Sequence, residues 1–301
     1  MKADPTNSPS THLNISGFRS SMLKAPVLSG FFIVIATASL VAQEASSELE
    51  SFGIYAQSAP IASAAEPVET ALPLKLGKGD RIAFVGNTLL DRAQHTAYFE
   101  TMLVQTHPEH ELVIRNFAWS ADEVDLQPRP DNFATVAQHL TREKIDVIFA
   151  AFGYNESFGG VDKLPEFKER LTRWVIATKT RAFNGETGPK VVLVSPIANE
   201  NIEGVPAADL NNGRLAAYTK AMQEVAETQK IGFADLYTPS LSLFERDTSD
   251  WTINGAHLTE SGYAEIDGQL FREVFGQTAP VVNEEIREVL IDKNRQYFRR
   301  Y

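Results

Sequence analysis

Five short apolar runs alternate with longer stretches of helical spacing, and that alternation restricts the fold more than any other feature of the chain. The runs are RIAFVG (81–86), ELVIRN (111–116), KIDVIFAAFG (144–153), PKVVLVSPI (189–197) and IGFADL (231–236). The helical spacing falls in 93–105, 133–142, 164–180, 210–229 and 259–275. Each run is short and nearly all apolar, as a strand buried on both faces must be. Strands alternating with helices give a parallel sheet with helices on both sides, joined by right-handed crossovers. The expected fold is α/β: a three-layer α/β/α sandwich around a five-stranded parallel sheet, flavodoxin-like. Such sheets bind ligands beyond the carboxyl ends of their strands, so the loops after the strands are where chemistry belongs. No internal repeat is present.

The N-terminal part of the chain falls outside this pattern. Residues 1–26 are polar, with Arg19 and Lys24 ahead of an apolar run at 27–42 that ends in small residues. That order reads as a secretory signal with a long basic region, cleaved after Ala42. The other reading is a retained membrane anchor, although the run is shorter than the roughly 20 residues of a full span. Both imply export to a periplasmic or extracellular location, with the membrane touched only through this segment. Residues 43–75, rich in Ala, Ser, Glu and Pro, read as a flexible linker. The folded domain is expected at 76–278. A helical tail follows at 279–301, with Ile286, Val289 and Leu290 toward the domain and a solvated basic end. The formal net charge of -11 argues against a nucleic-acid partner, which needs basic surface. The absence of cysteine removes disulfides, thiolate metal ligands and cysteine nucleophiles.

Four loops carry the polar residues that chemistry would need. Gly86-Asn87-Thr88-Leu89 follows the first run, and Asn116-Phe117-Ala118-Trp119-Ser120-Ala121-Asp122 follows the second. Gly153-Tyr154-Asn155-Glu156 follows the third, and Asn254-Gly255-Ala256-His257-Leu258-Thr259 precedes the last helix. Singly, Thr88 reads as a helix N-cap, Asn155 as a turn residue and His257 as a loop histidine. Together they place a hydroxyl, an amide donor and an imidazole at one sheet edge. Those are the parts for acyl transfer.

The order and spacing of these loops resemble the SGNH hydrolase superfamily, the GDSL-like lipases and acylhydrolases, over about residues 78–276. Gly86-Asn87-Thr88-Leu89 is similar to the family's Gly-Asp-Ser-Leu, in a subgroup with GNTL there. Asn116 through Asp122 resembles the second block. Gly153-Tyr154-Asn155-Glu156 resembles Gly-x-Asn-Asp, and Asn254-Gly255-Ala256-His257-Leu258 resembles Asp-x-x-His-Leu. The resemblance implies the SGNH fold and ester hydrolysis without metal or organic cofactor, acting on a small-molecule or carbohydrate ester such as an O-acyl ester of extracellular carbohydrate. It implies Thr88 as nucleophile and His257 as base, with Asn254 in the place of the acid. The oxyanion hole would come from Thr88, Ala121 and Asn155, with Ala118 as the other register for Ala121. Asn87 and Asp250 are auxiliary, Asp250 as a nearby carboxylate that could orient His257. Threonine for serine crowds the nucleophile. An amide for the acid weakens the support of the imidazole, a change that costs a serine protease about ten-thousand-fold in turnover. A protein that binds a glycan or acyl ligand without turnover is the alternative.

Overall fold

The computed structural model describes residues 61–131, 133–246 and 250–299. The expected signal or anchor at 1–42 lies outside the described residues, as does the expected linker up to residue 60. In chain order the elements are β1 (Ser63–Ala64), β2 (Arg81–Gly86), α1 (Thr88–Ala93), α2 (Tyr98–Thr106), β3 (Val113–Asn116) and α3 (Val136–Arg142). Then come β4 (Val147–Ala151), α4 (Leu164–Lys179), β5 (Arg181–Ala182), β6 (Lys190–Val194) and α5 (Ala207–Gln229). The last are β7 (Gly232–Ala234), α6 (Tyr237–Arg246), α7 (Glu260–Phe275) and α8 (Glu284–Phe298).

The main sheet has five parallel strands in the order β3-β2-β4-β6-β7. Counted among themselves, that is the flavodoxin-like order 2-1-3-4-5, with its switch point between β2 and β4. Side chains alternate across the sheet as a strand dictates. Ile82, Phe84, Val147, Phe149, Val192 and Val194 enter one core with Phe99, Leu103, Leu270 and Phe271 from α2 and α7. Ala83, Val85, Ile148, Ala150, Val191 and Leu193 enter the other with Leu171, Val175, Tyr218 and Met222 from α4 and α5. Each fully buried aliphatic or aromatic side chain contributes about 1.5–3 kcal/mol, so both layers are needed to hold the sheet.

Four sequence expectations change. The helix expected over 93–105 is two, α1 and α2, because Ala97 sits at φ 54° and the Asp267 carboxylate accepts the N–H of Phe99 beyond it at 3.1 Å. The linker reading does not hold for 61–75. There β1 pairs with β5, Thr70 Oγ1 accepts the Val191 N–H at 3.0 Å, and Leu74 is buried. Helix α6 was not expected. Helix α8 is held by polar contacts: Lys293 and Asn294 bond Glu100, and Arg287 stacks on Tyr98, while Val289 is exposed. Among the described residues no helix is long and apolar enough to cross a membrane.

Candidate active site

Strand β2 ends in a residue that only glycine can fill. Gly86 has φ 108°, and a Cβ there would lie 2.0 Å from the Ala151 carbonyl oxygen. The chain turns at once into α1, whose N-cap is Asn87, not Thr88: the Asn87 carboxamide accepts the Leu89 N–H at 3.2 Å. Asn87 is buried in this capping role. Thr88 is thereby the first helical residue, half-buried at the mouth of the sheet. Its own N–H is one of the donors that the first turn of a helix leaves without an intrahelical partner.

Thr88, Asn155 and His257 line one cavity of about 290 Å³, together with Asn87, Ala121 and Arg92. Its remaining walls include Tyr154, Pro196, Ile197, Leu258 and Tyr263. This is the crevice at the β2/β4 switch point, since Thr88 follows β2 and Asn155 follows β4. Ala121 donates its N–H to Thr88 Oγ1 at 3.2 Å and has φ 66°, a conformation that favours glycine. Ala118 is buried and does not line the cavity, so the register of the loop is set by Ala121. No hydrogen bond joins the Asn155 carboxamide to a described residue, which leaves it free to meet a ligand.

His257 is carried by a tight loop. Asn254 Oδ1 sits 2.9 Å from His257 Nδ1 and also accepts the His257 N–H at 3.1 Å. With Nδ1–H donated to that oxygen, Nε2 is the basic nitrogen. Burial, then the charge of Arg92, holds the imidazole below its ordinary value. Asp250 does not take the supporting role: it is exposed, its carbonyl oxygen accepts from Thr259 Oγ1 at 3.4 Å, and no ion pair links its carboxylate to His257. The position next to Nδ1 is filled by Asn254.

Two buried carboxylates brace these loops. Glu156 accepts Gly153 N–H at 2.8 Å and Val124 N–H at 3.0 Å, tying the loop after β4 to the loop that bears Ala121. Burial pushes its carboxyl up to about 7. Glu200, after β6, accepts Trp251 N–H at 3.1 Å, Thr252 N–H at 2.7 Å and Thr252 Oγ1–H at 2.6 Å, and its own N–H meets the Gly255 carbonyl at 2.9 Å. The loop carrying Asn254 and His257 is therefore fixed from a distant part of the sequence. Asp122, beside Ala121, is buried against Arg129, whose guanidinium makes two bonds to it at 2.8 and 2.6 Å and lies over Trp119.

Sequence reading missed Glu200, Arg92 and the cavity walls Tyr154 and Tyr263. For Arg92 a signal existed: it lies four residues after Thr88, on the same helical face. Among the described residues no group of three or more His, Cys, Asp or Glu is placed to hold a metal ion.

Comparison with known proteins agrees with this architecture. The family described as GDSL-like Lipase/Acylhydrolase matches residues 79–265. The solved structures similar to the chain include the acetylxylan esterase Axe2 from Geobacillus stearothermophilus, at 18% identity over 67% of this chain and 96% of that one, with a TM-score of 0.52. They also include a protein described as a GDSL-like lipase from Parabacteroides merdae ATCC 43184, at 15% identity over 67% of this chain and 98% of that one, with a TM-score of 0.53. At such identities the likeness speaks for the fold. No curated protein matches the chain. The sheet order, the cavity at its switch point and the match over 79–265 together place the chain in the GDSL-like lipase/acylhydrolase family of ester hydrolases.

Proposed function

We propose that the cavity hydrolyses O-acyl esters of carbohydrate by acyl transfer through Thr88. The observation that carries this reading is the shared cavity of Thr88, Asn155 and His257, with the His257 ring held at Nδ1 by Asn254. His257 Nε2 takes the Thr88 hydroxyl proton as Oγ1 bonds to the ester carbonyl carbon. The carbonyl oxygen becomes an oxyanion facing the Thr88 N–H, the Ala121 N–H and the Asn155 carboxamide. In the free protein the Ala121 N–H is held by Thr88 Oγ1, and the oxyanion replaces that acceptor. The C–O bond to the sugar then breaks, and His257 returns its proton to the leaving oxygen. Water, deprotonated by His257, attacks the acyl-threonine. The carboxylic acid leaves and Thr88 regains its proton.

The carbohydrate part of the reading is supported by the acetylxylan esterases among the structural neighbours and by an open cavity with room for a short acyl group. The export expected from the apolar run at 27–42 belongs to the same proposal. The test is turnover of 4-nitrophenyl acetate and acetylated xylo-oligosaccharides by the full chain and by Thr88→Ala and Thr88→Ser. Thr88→Ala should lose activity, and Thr88→Ser should keep or raise it, because serine retains the hydroxyl without the crowding methyl. Unchanged turnover in Thr88→Ala would remove Thr88 as nucleophile.

A further inference from the structure

We infer that Arg92 seats an anionic group of the substrate, so that the esters accepted here carry a carboxylate or sulfate close to the scissile bond. This inference rests on the ester-hydrolase reading of the same cavity. Arg92 is the one permanently charged side chain among the residues lining it, and no Asp or Glu lines it. Arg92 is half-buried, enters no ion pair with a described residue, and has a buried Nε with no hydrogen-bond partner. Its one polar partner among the described residues is the Tyr263 hydroxyl, which accepts a hydrogen bond from the guanidinium and donates to the Leu89 carbonyl at 2.9 Å. A hydroxyl cannot neutralise a guanidinium. The adjacent Asp91 carboxylate makes no ion pair with it either, and is bonded instead by Gln94 Nε2 at 3.0 Å and by Ser120 Oγ.

A cation with no ion-pair partner in a partly apolar pocket is costly, and an anionic ligand group lowers that cost. A buried guanidinium donor without a partner points the same way, since such donors are rare in finished structures. Arginine's planar fork matches the two oxygens of a carboxylate or sulfate, which a neutral ester cannot offer. Thr88 and Arg92 stand one helical turn apart, so an ester carbonyl at Thr88 leaves the anion a few bonds away. Its charge already reaches His257, whose basicity it lowers. The anion has two sources. It can sit on the acyl group, as in a dicarboxylic half-ester, or on the sugar, as in an acylated uronate.

Paired substrates separate the sources. One pair is 4-nitrophenyl acetate and mono-4-nitrophenyl glutarate, corrected for spontaneous hydrolysis. The other is acetylated methyl glucoside and the acetylated methyl glucuronoside free acid. We expect kcat/KM to favour the anionic member of one pair by roughly 10–100-fold, the range of a charged hydrogen-bonded pair. That ratio should fall toward one in Arg92→Gln and Arg92→Met and be partly kept in Arg92→Lys, with thermal melts showing which variants are folded. Ratios near one in both pairs, alongside Thr88-dependent cleavage of the neutral esters, would overturn the anion seat and leave ester hydrolysis standing. If no ester is cleaved, calorimetric titration with glutarate and with methyl glucuronoside decides. Binding lost in Arg92→Gln supports the seat while the hydrolase reading falls; absence of binding to the native chain overturns both.

Discussion

Asn254 Oδ1 lies 2.9 Å from His257 Nδ1, so a neutral amide supports the imidazole where the resembled family has a carboxylate. The amide fixes the tautomer that leaves Nε2 basic, but it brings no charge to balance the imidazolium formed as the nucleophile attacks. Asn254→Asp keeps the geometry and supplies that charge. The expected result is a rise in kcat of about tenfold or more on 4-nitrophenyl acetate, larger with Thr88→Ser beside it. A fall in kcat with the loop intact would show that the amide is matched to a different step.

Glu200 grips the same loop through three hydrogen bonds to residues 251 and 252, yet makes no hydrogen bond to Asn254 or to the ring of His257. It is a positioning residue. Glu200→Gln puts an amide donor where Glu200 accepts from N–H groups, so one or more of these bonds must break. We expect kcat to fall tenfold or more with a smaller change in KM, and stability to drop by about 2 kcal/mol, since a buried donor is left unpaired. Stability loss with unchanged kcat would make Glu200 a purely structural brace.

The acid limb of the pH profile should lie below 6.5. Catalysis needs neutral His257, and burial together with Arg92 holds its imidazole below the ordinary 6.5. A lowered pKa keeps the base form present further into acid, and rate is lost as pH falls through that value. Arg92→Met removes the charge but not the burial, so the limb should move upward in pH. A limb above 6.5 in the native chain, measured as kcat/KM on a neutral ester, would contradict this environment.

The five strands were readable because strands buried on both faces must be apolar throughout, and the runs at 81–86 and 144–153 have no other use. Thr88, Asn155 and His257 were readable because each lies just beyond a strand end or before a helix. Ala97 was not: an alanine at positive φ has no sequence signature, so α1 and α2 merged into one expected helix. Glu200 was hidden for a different reason, since its partners lie 51 and 52 residues away and nothing local marks a loop clamp. Asp250 is close to His257 in sequence, and such proximity does not specify where a loop carboxylate points. Asn254 reaches Nδ1 because the Gly255 turn, at φ 82°, folds the loop back on itself.

Asp267 should make the protein less stable as pH rises. Its carboxyl is wholly buried in α7 beneath Tyr263, accepts a single N–H from Phe99 at 3.1 Å, and is pushed by burial from an ordinary 3.8 to about 7. Between those values the folded chain holds a proton that the unfolded chain has released. Stability is therefore highest below about pH 4 for this group, declines as pH rises through the interval, and stays low above the folded value. Glu156, raised to about 7 by burial, adds a slope of the same sign. Asp267→Asn cannot ionise, and its side-chain oxygen can still accept from Phe99. At about 1.4 kcal/mol per unit the shift sets a ceiling near 4 kcal/mol, and relaxation around a charged carboxylate lowers this to roughly 2 kcal/mol. The variant should thus melt about 5 °C above the native chain at pH 8. The gap should close toward pH 4, and the Glu156 slope should persist. Thermal melts of both proteins from pH 4 to 8 test this. Equal melting temperatures at pH 8 would mean that the Asp267 charge is neutralised within the fold, and a lower one that the carboxylate makes a bond the amide cannot replace.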